Sequence, residues 1–247
     1  INNLRFTEDD IAYLKSLNLF DDGFLLRLSN MRFTGEIFGM PEGTIVFPHE
    51  PLIRVRAPMI EAQLIETAIL NLVNHQTLIA TKANRVCYAA KGGSVLEFGL
   101  RRAQGPDAGI YGARAAIVGG CTATSNVLSG QMFDIPVKGT HAHSWVMSFN
   151  NELEAFRAYA DVFPDSCMLL VDTYDTLKSG MPNAIKVFDE LSAKGYAPVG
   201  IRLDSGDLAY LSKQARKMLD DAGYKDAKIF ASGDLDETVI YDLKVQG

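Results

Sequence analysis

Cysteine is scarce in these 247 residues. Cys87, Cys121 and Cys167 stand far apart with no C-x-x-C spacing, which argues against a disulfide framework or a zinc knuckle and predicts reduced thiols in a cytoplasmic protein. Positive charge is short as well: 24 Lys and Arg against 30 Asp and Glu leave a net charge of -6, so nothing calls for nucleic acid or an anionic membrane as a partner. Glu61 and Glu66 interrupt the longest apolar region, and no basic-then-apolar leader opens the chain, so neither membrane spanning nor export is expected. Repeats of fixed period and low-complexity tracts are lacking. So is an opening methionine: the chain starts at Ile1 and stops at Gly247, part-way into a helical pattern, and is expected to be a fragment.

What is present is a 47% hydrophobic composition, enough for a substantial core in one large α/β domain with a smaller attachment. Thr7 to Asp10 resembles a capping box, with Asp for the usual Glu or Gln, ahead of Ile11, Leu14 and Leu17 at helical spacing. The run Phe24–Leu28 is ambiguous, while 35–38, 43–47 and 53–55 read as short strands. Residues 1–57 are therefore expected to be part of a small strand-rich domain. From Pro58, a wide apolar face through Leu64, Ile65, Ala68, Ile69, Leu72 and Val73 predicts a deeply buried helix in a connecting segment, 58–90. His75 in that helix and His49 in a loop read as packed or edge histidines rather than ligands.

Beyond Ser94 the pattern is regular: apolar strand, polar tip, helix. Strands are expected at 95–99, 121–124, 135–138, 168–171, 199–203 and 229–231, and helices at 107–118, 151–159, 182–193, 208–221 and from 235 onward. Such alternation calls for parallel strands with right-handed crossovers. Residues 91–247 are thus read as an incomplete, irregular α/β barrel, with an open doubly wound sheet as the alternative.

The strand tips concentrate chemistry: Glu97–Arg102, Thr124–Asn126, Gly139–Ser144, Asp172–Thr176, Arg202–Asp207 and Ser232–Glu237. Any one of them is compatible with an ordinary turn or helix cap. Their recurrence favours a converging site of cations, hydroxyls and carboxylates. The third tip, Gly139-Thr140-His141-Ala142-His143-Ser144, precedes the only tryptophan, Trp145. In an extended segment His141 and His143 share a face and would suit a metal-dependent barrel hydrolase, but no histidine follows to complete such a site. A neutral imidazole is also a nucleophile toward phosphoryl groups, and there one histidine suffices.

On these tips, and on Pro41-Glu42-Gly43-Thr44 through Pro58 before them, the sequence resembles the nicotinate phosphoribosyltransferases, with more distant similarity to nicotinamide and quinolinate phosphoribosyltransferases. The resemblance implies a reaction joining nicotinate to phosphoribosyl pyrophosphate, with ATP as co-substrate through a phosphorylated histidine, here His143. It implies that Thr140 and Arg202 hold nicotinate and that Phe98 stacks on its ring. Arg101, Asp172, Asp204, Ser205, Gly206, Gly233 and Asp234 match ribose, phosphate or magnesium contacts, with Asp204 catalytic. Magnesium is implied as labile, no residue being a standing metal ligand, and the assembly as a homodimer with shared active sites. The family pattern also includes an N-terminal segment and a later glycine-rich phosphate loop that these residues do not match. A binding module without turnover is the remaining alternative.

Overall fold

The Thr7 hydroxyl accepts from the Asp10 N–H while the Asp10 carboxylate accepts from the Thr7 N–H at 2.7 Å, so the reciprocal cap forms with Asp in its third position. It opens α1 (Glu8–Ser16), which has no buried residue. The ambiguous run after it is helical: α2 (Asp22–Ser29), capped by Asp21, buries Leu25 and Leu28. β1 (Glu36–Gly39) and β2 (Ile53–Arg56) pair antiparallel. The expected strand at 43–47 is a turn and loop with no partner to complete its backbone hydrogen bonds, and Ile45 and Phe47 are exposed. This N-terminal part is two helices and one ribbon rather than strand-rich. The computed structural model describes residues 1–247 throughout.

α3 (Met59–Ala89) begins directly after Pro58, which stands at the N-cap. Ile65, Ala83 and Ala89 are buried, whereas Leu64, Leu70, Leu72 and Leu78 are exposed. The expected deep burial is one-sided, because the helices packing on it, at Pro106–Val118 and Glu237–Gln246, cover only part of its surface. No helix is long and apolar enough to cross a membrane.

The remaining elements are β3 (Leu96–Glu97), α4 (Pro106–Val118), β4 (Ala123–Thr124), α5 (Val127–Phe133), α6 (His143–Met147), α7 (Glu152–Val162), β5 (Met168–Leu170), α8 (Met181–Ala193), β6 (Gly200–Leu203), α9 (Leu208–Asp221), β7 (Lys228–Ala231) and α10 (Glu237–Gln246). β3 pairs parallel with β4, and Thr124 bridges to Val137, all that forms of the strand expected at 135–138. β5, β6 and β7 form a separate parallel sheet with Leu170 opposite Arg202 and Arg202 opposite Phe230. Apart from the β1–β2 ribbon, the strands therefore lie in two parallel sheets, neither of them closed.

The main core lies between the second sheet and the helices around it. Phe156, Leu169, Val171, Val187, Phe188, Leu191, Ile201, Leu203 and Leu219 are all essentially inaccessible there. A π-helical turn, Thr176–Gly180, leads into α8. Its Gly180 lies so close to the Val171 carbonyl that a Cβ would come within 1.8 Å of the oxygen. The N-terminal part is tied to α4 by Arg114, which donates to both Glu42 carboxylate oxygens at 2.5 and 2.8 Å. His75 Nε2 lies 3.2 Å from the Ala108 carbonyl oxygen, the packing role expected of it. All three cysteines are free thiols, and burial pushes Cys121 and Cys167 up to about 12.

Candidate active site

Parallel pairing in register brings the C-terminal ends of β5, β6 and β7 side by side, and three tips that are far apart in sequence meet there. Asp172, its side chain 2% exposed, sits at the centre. Its Oδ1 lies 3.1 Å from His143 Nε2. Its Oδ2 accepts from the Asp204 N–H at 2.9 Å and the Ser205 hydroxyl at 2.5 Å. An acceptor carboxylate pairs with an imidazole N–H, so the contact orients the His143 ring with Nε2 toward Asp172 and Nδ1 away from it.

Arg202, in β6, is held on three sides. Nε donates to the Ser232 hydroxyl at 2.7 Å, Nη1 to the Thr140 hydroxyl at 2.8 Å, and Nη2 to Asp204 Oδ1 at 2.6 Å. Ser232 in turn donates to Asp204 Oδ1, closing a ring of contacts. The guanidinium lies 5.5 Å from the centre of the Phe98 ring, in cation–π range, and still has N–H groups to offer. Burial pushes the Asp204 carboxyl up, but the Ser232 hydroxyl and the Arg202 charge outweigh this and hold it below its ordinary value. Upstream, Glu97 accepts from the Thr124 hydroxyl at 2.6 Å and from the Gly99 N–H, shaping the turn that presents Phe98.

His141 is not part of this surface. Extended spacing predicts that it shares a face with His143, but the backbone turns helical at His143 and the two imidazoles take different partners. His141 is 7% exposed and packs edge-on against Tyr159, with ring centres 4.7 Å apart. Its Nε2 accepts from the Leu170 N–H at 3.1 Å, satisfying an edge donor of β5 that no neighbouring strand pairs. Burial pushes the imidazole down to about 4. With that lone pair engaged, His141 cannot join His143 on a metal, and the hydrolase reading loses its first ligand pair.

The structure thus brings together His143, Asp172, Asp204, Ser205, Arg202, Thr140 and Phe98. Gly233 belongs with them: its φ is +98°, and a Cβ there would come within 2.2 Å of the Asp204 carbonyl oxygen. Gly206, at φ +78°, makes the turn into α9. Arg101 lies exposed in the short 3₁₀ turn Leu100–Arg102 and makes no ion pair. Asp234 is exposed too and pairs with Arg102 at 2.9 Å. Ser232 was not singled out from the sequence as a site residue. A serine ending a strand looks like any helix cap, and only the neighbouring β6 reveals its partner.

Comparison with known proteins separates the readings. Residues 1–74 match the family model described as the nicotinate phosphoribosyltransferase N-terminal domain, and residues 94–241 match that of the nicotinate phosphoribosyltransferase family. The chain belongs to the nicotinate phosphoribosyltransferase family. It is 55% identical over 247 residues to a nicotinate phosphoribosyltransferase of Bacillus subtilis, covering 100% of this chain and 50% of that protein. It is 47% identical to one from Mycobacterium tuberculosis, covering 97% of this chain and 51% of that protein. The crystal structure of human nicotinic acid phosphoribosyltransferase superposes with a TM-score of 0.90 at 32% identity, covering 97% of this chain and 59% of that one. The chain thus spans about half the length of the curated relatives it matches.

Proposed function

We propose that this chain carries the catalytic centre of a nicotinate phosphoribosyltransferase, an enzyme that joins nicotinate to phosphoribosyl pyrophosphate, yielding nicotinate mononucleotide and pyrophosphate with coupled ATP hydrolysis. The observation that carries this reading is the Arg202 fork, fixed by Thr140, Ser232 and Asp204 beside the His143–Asp172 pair. A planar guanidinium with free N–H groups suits a planar carboxylate, and the adjacent Phe98 offers an aromatic face for the pyridine ring.

The transfer breaks the bond from the anomeric carbon to pyrophosphate and forms one to the ring nitrogen of nicotinate, which is nucleophilic without a strong base. Asp204 and Asp172 supply negative charge where an oxocarbenium-like centre develops. Ser205, Gly206, Gly233, Asp234 and Arg101 are assigned to ribose and phosphate contacts. Magnesium fits this site only as a labile ion. Asp204 engages its neighbours through Oδ1 alone, which leaves Oδ2 to join such an ion's coordination. When bound with the donor's phosphates, it would neutralise charge on the departing pyrophosphate.

ATP acts through His143. Asp172 holds Nε2–H, so Nδ1 attacks the terminal phosphoryl group, the N–P bond forms, and ADP leaves. The added charge then orders the loop around the phosphoribosyl donor. The two sheets are read as arcs of an incomplete α/β barrel, preceded by a small domain over 1–57 and a connecting segment over 58–90. The enzyme is placed in the cytoplasm on the strength of its free thiols, and is taken to work as a homodimer with shared sites, which sedimentation of the full-length protein would check.

The test is intact mass of the full-length protein under neutral conditions, before and after magnesium and ATP. An acid-labile phosphoryl adduct that His143→Asn does not form, together with nicotinate-dependent release of pyrophosphate, is the expected result. Absence of the adduct from wild-type protein that still makes nicotinate mononucleotide would remove the ATP coupling. Nicotinate binding without any product would reduce the protein to a binding module, and tightly bound zinc would revive the hydrolase reading.

A further inference from the structure

Glu152 is buried, 3% exposed, in the first turn of α7, and no lysine or arginine pairs with it. Its Oε2 accepts from the Ser179 hydroxyl at 2.6 Å and the Asn183 amide at 3.3 Å, and its Oε1 meets no protein donor. Burying a carboxylate against two neutral donors costs free energy that an apolar side chain of similar volume would not. Stability therefore does not explain this residue, and its partners suggest what does.

Ser179 lies in the π-helical turn Thr176–Gly180, a distortion that an α-helix adopts only under local constraint. That turn follows the tip beginning at Asp172 and is seated on the Val171 carbonyl through Gly180. On the other side, α7 is joined to the helix that His143 opens: the Trp145 indole N–H donates to the Ala155 carbonyl at 3.4 Å, and Val146 and Ala155 are both inaccessible in one core. Glu152 thus ties α7, against which the helix opened by His143 packs, to the turn that follows the Asp172 tip. The lone tryptophan serves the same link.

We propose that Glu152, with Ser179 and Asn183, is a positioning residue that sets the His143–Asp172 contact and so orients the imidazole whose Nδ1 accepts phosphoryl from ATP. The proposal rests on the reading of His143 as the phosphoryl acceptor and adds a residue remote from the reacting atoms. It predicts a division of effects: the clamp touches the His143 side of the site and leaves the Arg202 fork alone.

The His143 Nε2–H proton, held on a buried carboxylate, should give a downfield proton resonance, identified by its loss in His143→Asn. In the full-length protein, Glu152→Ala is expected to lose this resonance and to take phosphoryl from ATP about 10- to 100-fold more slowly, with KM for nicotinate unchanged. Glu152→Gln, whose carbonyl still accepts from Ser179 and Asn183, should restore both. Ser179→Ala is the milder variant and decides the matter if Glu152→Ala does not fold, with a partial loss in the same direction expected. Folded variants that keep the resonance and the rate overturn the proposal. So does a rise in nicotinate KM parallel to the loss of rate, which marks general loosening. Loss of the resonance in a protein that is never phosphorylated would leave the clamp standing and remove the phosphohistidine reading instead.

Discussion

His141 illustrates how spacing leaves a side chain open between two roles and burial decides between them. Its ordinary value of 6.5 falls to about 4 in the fold, chiefly through burial. The unfolded chain therefore binds a proton that the folded one refuses between these limits. The contribution of the neutral imidazole is complete above pH 6.5 and lost as pH falls toward 4, about 3 kcal/mol in all. Urea unfolding at pH 7.5 and 4.5 should show this loss in wild-type protein and little of it in His141→Gln. Arg202 belongs to the same scale. Arg202→Gln removes a charge-assisted contact of about 1.5–3 kcal/mol, so steady-state kinetics should show nicotinate KM rising by roughly 10- to 100-fold, with preference over nicotinamide lost. Ser232→Ala, which takes away the hydroxyl shared by Arg202 and Asp204, should raise nicotinate KM about fivefold, equivalent to one hydrogen bond of ~1 kcal/mol.

Among the elements, those with self-contained signals were legible in advance. α9 runs over Leu208–Asp221 as expected, because Asp207 caps it and its apolar face repeats at helical period. β3, β4, β5 and β6 are shorter than their apolar runs, since pairing ends where no neighbour supplies partners, and the run at 43–47 forms no strand at all. The π-helical turn carried no sequence signal that could be read. Its cause is tertiary, the seat of Gly180 on Val171. Gly180→Ala must displace that seat, an overpacking cost of about 1–3 kcal/mol. A Tm lowered by roughly 2–10 °C is expected, and circular dichroism on heating would measure it.

Over the whole molecule, burial is uneven. The core cluster joins β5 and β6 to α7, α8 and α9, whereas α1 buries nothing and every residue of β1 is exposed. Local opening should follow this distribution. Hydrogen exchange is expected to be slowest at Leu169, Leu170, Ile201 and Leu203 and fastest in α1 and β1. Protection in β1 equal to that in β6 would contradict it. The bidentate Arg114–Glu42 pair joins the N-terminal part to α4 across a partly exposed seam, so it directs orientation more than it adds stability.

By itself the sequence determined the alternation of strand and helix, the polar tips and the family, and it marked His143, Arg202, Asp172 and Asp204 as candidates. Periodicity, capping and motif order are local properties that need no partner to be read. Only the tertiary structure decided that His141 turns inward to satisfy β5, that Ser232 ties Arg202 to Asp204, and that Glu152 reaches the turn behind Asp172. Each of these depends on a donor or acceptor about 30 residues away along the chain. Hydrogen bonding is specific in space, and the sequence orders residues only along a line.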